Sequence, residues 1–145
     1  MQRNFTLDTL TQLKDAGAVG ASAAATVGGS AKVLDLGAGF VEGNIVIDVS
    51  ALEIDTTDES YDIVVQLSPD SNFGTAGNIV EQCAKHLGAK ATKRTDCDKD
   101  DATGRYILAV HNENKGTVYR YLRLYTVVAG TIATGINYTA WLVKK

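Results

Sequence analysis

The chain has one proline, two cysteines and no long apolar run. Cys83 and Cys97 stand in polar surroundings, whereas a secreted domain stapled by disulfides usually carries more cysteines; a Cys83–Cys97 bridge stays open. No stretch approaches the roughly 18 apolar residues that cross a bilayer, and Met1-Gln2-Arg3-Asn4 leads into polar sequence without the apolar centre of a signal peptide. The expectation is a chain made and used in a cytoplasm or released by lysis, with no membrane partner. Basic excess is missing too. Fourteen Lys and Arg stand against 17 Asp and Glu, a net charge of −3, so there is no broad positive field to hold nucleic acid.

Catalytic patterns are equally scarce. There is no Gly-x-Ser-x-Gly elbow, and the two histidines have no triad context. Cys83, His86, Cys97 and His111 have no compact C-x-x-C pair for zinc. Asp96, Asp98, Asp100 and Asp101 resemble a calcium loop, but an EF-hand counted from Asp96 requires Gly at Asp101 and Glu at Ile107; a solvated loop of mixed charge is the simpler reading. Val33-Leu34-Asp35-Leu36-Gly37-Ala38-Gly39 looks like the first loop of methyltransferases that use S-adenosylmethionine. Such a loop needs a helix behind it, and only Phe40 to Asn44 separate Gly39 from the apolar alternation beginning at Ile45. A strand, a glycine turn and a second strand fit that space. No enzyme activity and no cofactor are expected.

What is present is enough for one core. A 145-residue chain can bury roughly 68–70% of its unfolded surface. The 45% hydrophobic and 21% charged content is that of an ordinary soluble protein. Leu7, Leu10 and Leu13, with Asp8 as a cap, allow a short helix. Residues 16–31 are almost all Ala, Gly, Ser, Thr and Val, too small for a core of their own. They read as a flexible linker or as an extended arm anchored by Val19 and Val27 on a neighbouring subunit.

From Lys32 onward period two dominates. Tyr61, Ile63, Val65 and Leu67 alternate with more polar neighbours, as do Tyr106, Leu108 and Val110; 119–128 and 136–143 repeat the theme. Turn clusters fall at Gly37 to Gly43, Pro69 to Asn72, Asn112 to Gly116 and Ala129-Gly130. Ile79 to Leu87 carries both a helical stripe and a strand pattern, and is read as a strand. Short strands at this spacing predict an all-β, jelly-roll-like sandwich over 32–145, preceded by an N-terminal segment and arm over 1–31. On a strand, Tyr119, Tyr121, Arg123 and Tyr125 share one face, with Leu122 and Leu124 on the other. Tyr and Arg are enriched at interface hot spots. The alternative is an aromatic and cation–π cluster on a solvated sheet.

The order of segments carries a resemblance: Asp15 to Ala25, Val33 to Gly37, Ile63 to Leu67 running into Asp70-Ser71-Asn72-Phe73, then Tyr119 to Leu124, Val128 to Thr131 and Thr139 to Val143. It resembles the capsid cement proteins of tailed bacteriophages, small decoration or staple proteins of the Bordetella phage type. The resemblance implies a jelly-roll-like sandwich on the exterior of a virion, assembled in the host cytoplasm, forming homo-oligomers (dimers or trimers) and bridging major capsid protein subunits. Expected contact residues are Phe5, Leu7, Leu10, Leu13, Val19 and Val27 on the arm, and Tyr119, Tyr121, Arg123 and Tyr125 on the sheet. A virion module that binds a host-surface carbohydrate or receptor is the alternative, since aromatic faces also hold sugars.

Overall fold

A computed structural model describes residues 6–89 and 102–145. Its strands are β1 (Gln12–Lys14), β2 (Ala18–Val19), β3 (Ala23–Ala24), β4 (Thr26–Val27), β5 (Ser30–Ala31), β6 (Leu34–Asp35), β7 (Glu42–Leu52), β8 (Ser60–Ser68), β9 (Val80–Gly88), β10 (Gly104–His111), β11 (Glu113–Asn114), β12 (Thr117–Val118), β13 (Tyr121–Ala129) and β14 (Ile136–Lys144). The long strands fall where β-branched and aromatic residues recur at period two. One sheet has the order β1-β14-β7-β10, with β2 continuing along β14. The other has the order β3-β13-β8-β9, with β6 continuing along β13. All these pairings are antiparallel. With each broken edge counted as one strand, the first strand lies beside the last and the two sheets face each other in jelly-roll order.

Alternation also sets the core. Ile45, Ile47 and Val49 of β7 and Ile136, Tyr138, Ala140 and Leu142 of β14 meet Ile63, Val65 and Leu67 of β8 and Leu122 and Leu124 of β13. Burying each larger side chain contributes about 1.5–3 kcal/mol. The Tyr138 hydroxyl is satisfied inside by Thr126 Oγ1 at 2.7 Å, so an aromatic ring fills the centre without an orphaned polar atom.

The N-terminal segment differs from the arm expected of it. Residues 12–19 run along β14, pairing Gln12 with Trp141 and Val19 with Ile136. Residues 23–35 run along β13, pairing Ala24 with Tyr125 and Leu34 with Leu122, interrupted by the β4–β5 hairpin. The small side chains allow this stretch to cross from one sheet edge to the other, and Ala25 is buried in the core. The segment is extended, but along its own sandwich, so 31/32 is not a domain boundary. Close packing at this edge also requires Gly135, at φ +88: a Cβ there would lie 2.1 Å from the Val19 carbonyl oxygen.

Three local expectations resolve in physical terms. The helix suggested by Leu7, Leu10 and Leu13 reduces to a 3-10 turn at Thr9–Thr11, where the Asp8 carboxylate accepts the Leu10 N–H at 2.9 Å. Leu13 then enters β1 and the core while Leu10 stays 78% exposed. Residues 80–88 form a strand, and a bulge absorbs Gln82 by pairing Cys83 with Val65 and Glu81 with Gln66. Behind the glycines, Asp35 Oδ1 accepts the Gly37 N–H at 2.9 Å and the chain turns directly into β7. No helix follows.

Candidate interface on the outer faces

Each sheet has an outer face, and the two differ in what covers them. On the β13 sheet, Tyr121, Arg123 and Tyr125 point away from the core that holds Leu122 and Leu124. Register places them opposite Ser68, Gln66 and Val64 of β8. Outward residues of a solvated sheet are normally wet, yet these three β8 residues are buried. Arg123 lies over Gln66, its Nε donating to Gln66 Oε1 at 2.9 Å. Its guanidinium sits 4.3 Å from the Phe73 ring and 5.6 Å from the Tyr125 ring. Phe73 belongs to the connection between β8 and β9 and is itself buried despite φ of +50. The connection is fastened by Ser68 Oγ, which accepts the Asp70 N–H at 3.0 Å, and by Asp70 Oδ1, which accepts the Asn72 N–H at 3.0 Å. A left-handed backbone is unfavourable for an aromatic residue, and burying the ring against Arg123 offsets it.

Burial pushes the Arg123 guanidinium below its ordinary value, with Tyr125 opposing; an arginine so placed remains charged at any pH the fold meets. Arg120, at the end of the same face, stacks on Tyr121 at 5.3 Å and forks onto Asp35 at 2.8 and 2.7 Å. That pairing, together with the Gly37 N–H, holds the Asp35 carboxyl at about 2.

The β14 sheet was not singled out by sequence. Its outer face carries Trp141 and Ile107 on either side of Val46 in one register row. In the adjoining row, Val143 and Ala109 flank Asn44. Val46 is outside the core cluster yet 0% exposed, while Ile107 beside it stays 44% exposed. One row further along, Arg105 forks onto Asp48 at 2.6 and 2.7 Å. An apolar strip bounded by an ion pair is therefore presented to solvent.

Of the expected contact residues, Tyr121, Arg123 and Tyr125 come together. Tyr119 leaves them: its N–H donates to the Asn112 carbonyl at 2.7 Å and its carbonyl accepts from Asn112 Nδ2 at 2.8 Å, so it precedes the strand and packs against the core. Leu13, 0% exposed, is a core residue and not a contact residue. Val19 packs against the core and Val27 is half-buried in the β4–β5 hairpin. Leu7 and Leu10 are exposed. Phe5 lies outside the described residues, as do Cys97 and the 96–101 acidic run.

Among the remaining candidate ligands, Cys83 faces inward and burial pushes its thiol up to about 11. His86 is on the outer face, 2.5 Å from Asp62, and His111 ends β10 beside Phe40 with ring centres 6.2 Å apart. Among the described residues no three His, Cys, Asp or Glu converge to hold a metal ion. The chain matches no protein-family model and no curated protein.

Proposed function

We propose that this chain is a capsid cement protein of a tailed bacteriophage, binding the outer surface of the shell as a homo-oligomer and holding major capsid protein subunits together. The observation that carries the reading is an outward apolar strip, with Ile107 and Ala109 exposed and Trp141 and Val143 half-buried, on one side of a sandwich whose opposite side presents a fixed arginine. A protein that bridges two subunits needs two contact surfaces, and the two differently built outer faces are the candidates for them. The whole-chain resemblance supports the same reading. An interface of about 1,200–2,000 Å² at each seam, repeated over a shell, makes local opening cooperative.

Mixing the protein with empty expanded shells of the particle that encodes it, and counting bound copies, tests this. Saturable binding that raises the temperature of shell disruption is expected, with Trp141→Ser combined with Ile107→Ser lowering occupancy. An absence of binding by the wild-type chain sinks the proposal, and saturable recognition on a glycan array in its place favours a host-surface carbohydrate.

A further inference from the structure

Three arginines lie among the described residues, and two of them are spent on carboxylates of their own chain, Arg105 on Asp48 and Arg120 on Asp35, each through a two-point fork. Arg123 is bonded differently. Its Nε donates to the neutral amide of Gln66, and neither Nη group has an acceptor among the described residues. Neither is sealed inside, because the buried side-chain atoms without partners are Glu59 Oε2 and Tyr61 Oη. The side chain is nevertheless held in place by Phe73, Tyr125 and Gln66. Most of the rotamer freedom that a surface arginine surrenders on binding has been surrendered here on folding.

We propose that Arg123 is a receptor for a carboxylate of the partner protein, an Asp or Glu side chain of the capsid subunit gripped by its two Nη groups beside the Phe73 ring. The inference rests on the cement reading for the identity of the partner. A carboxylate is favoured because its two planar oxygens match a pair of N–H donors; Asp48 and Asp35 make such a two-point match through Nε and Nη2 of the other two arginines, and on Arg123, where Gln66 holds Nε, the two Nη groups offer the pair. A polyanion is disfavoured by the net charge of −3 and by the neutralisation of neighbouring Arg120. Gln66 is suited to this role. It fixes Nε without cancelling the charge, whereas Glu at that position would cap the fork from within.

The test compares wild type, Arg123→Lys, Arg123→Gln and Gln66→Glu for binding to empty expanded shells, with thermal midpoints confirming the fold. Loss of about tenfold or more in affinity is expected for Arg123→Gln and for Gln66→Glu, with Arg123→Lys between these and wild type, since Lys retains charge but not the fork. Amidation of shell carboxylates should weaken wild type and leave Arg123→Gln unaffected. Equal binding by all four folded proteins overturns the inference and leaves the cement reading standing. If wild type does not bind shells, the cement reading fails, and titration of the protein with glutarate and with inorganic phosphate, read at the Arg123 Nε–H resonance, decides the site separately. A shift with glutarate that Gln66→Glu abolishes supports a carboxylate receptor; no shift, or a shift with phosphate alone, overturns it.

Discussion

On the β13 sheet the outward side chains are covered by the chain itself: Phe73 lies on Arg123, Arg123 on Gln66, and the three β8 residues beneath are dry. On the β14 sheet Val46 is dry between Trp141 and Ile107 in its register row, and Ile107 remains open to solvent. The first face fixes a cation at the cost of a left-handed aromatic residue. The second leaves apolar area uncommitted, which is available to whatever binds it. Under the proposed cement reading, specificity and contact area would fall on opposite sides of one sandwich.

Acid should break both faces at once. Glu53 ties the β7–β8 connection to the β13–β14 turn by accepting the N–H groups of Ala133, Thr134 and Gly135, and these hold its carboxyl at about 2, below its ordinary 4.5. The unfolded chain therefore binds more protons in that interval, and stability present above pH 4.5 is lost as pH falls toward about 2. Trp141, the one tryptophan, reports on the β14 face through its fluorescence, and the Arg123 Nε–H resonance, held by Gln66, reports on the β13 face. Coincident acid transitions are expected, and Glu53→Gln should flatten the decline between those pH values. Separated transitions would make the faces independent units.

Removing the cover should separate them. Phe73→Ala is expected to cost about 3 kcal/mol in urea unfolding, within the range for large-to-small core changes, because the ring is buried on Arg123. The double change Trp141→Ser and Ile107→Ser should cost about 2 kcal/mol, less than Phe73→Ala although it also exposes Val46, while lowering shell occupancy. A larger stability loss from the second than from the first would reverse the assignment of cover and contact. The smallest effect belongs to Asp48→Asn, which removes an exposed ion pair on the β14 face and should shift stability by no more than about 1 kcal/mol, with most of that shift gone in high salt.

The long strands were legible because β-branched residues at period two leave few other solutions. The glycine turn before β7 was legible for a simpler reason: five residues leave no room for a helix. Residues 16–31 were not legible. Their two-residue strands have no pattern of their own: β2 and β3 take their register from β14 and β13, and β4 and β5 pair with each other. Tyr119 fits the alternation on paper, but Asn112 occupies its backbone from both sides and ends the strand. Phe73 was hidden in a turn, where spacing says nothing about what a ring will cover. The β14 face could have been found, since Ile45-Val46-Ile47 has no polar gap and the even-numbered core residues of β14 leave Trp141 facing out.

The pairing of β1 with β14 has a mechanical consequence. These neighbours are antiparallel, so the start of one lies next to the finish of the other, Gln12 against Trp141. Tension applied between the two ends of the chain would peel that ladder open one bond at a time instead of shearing it all at once. The alanine-rich edge would act as a fuse, yielding at low force while β7, β8 and β13 stay in place.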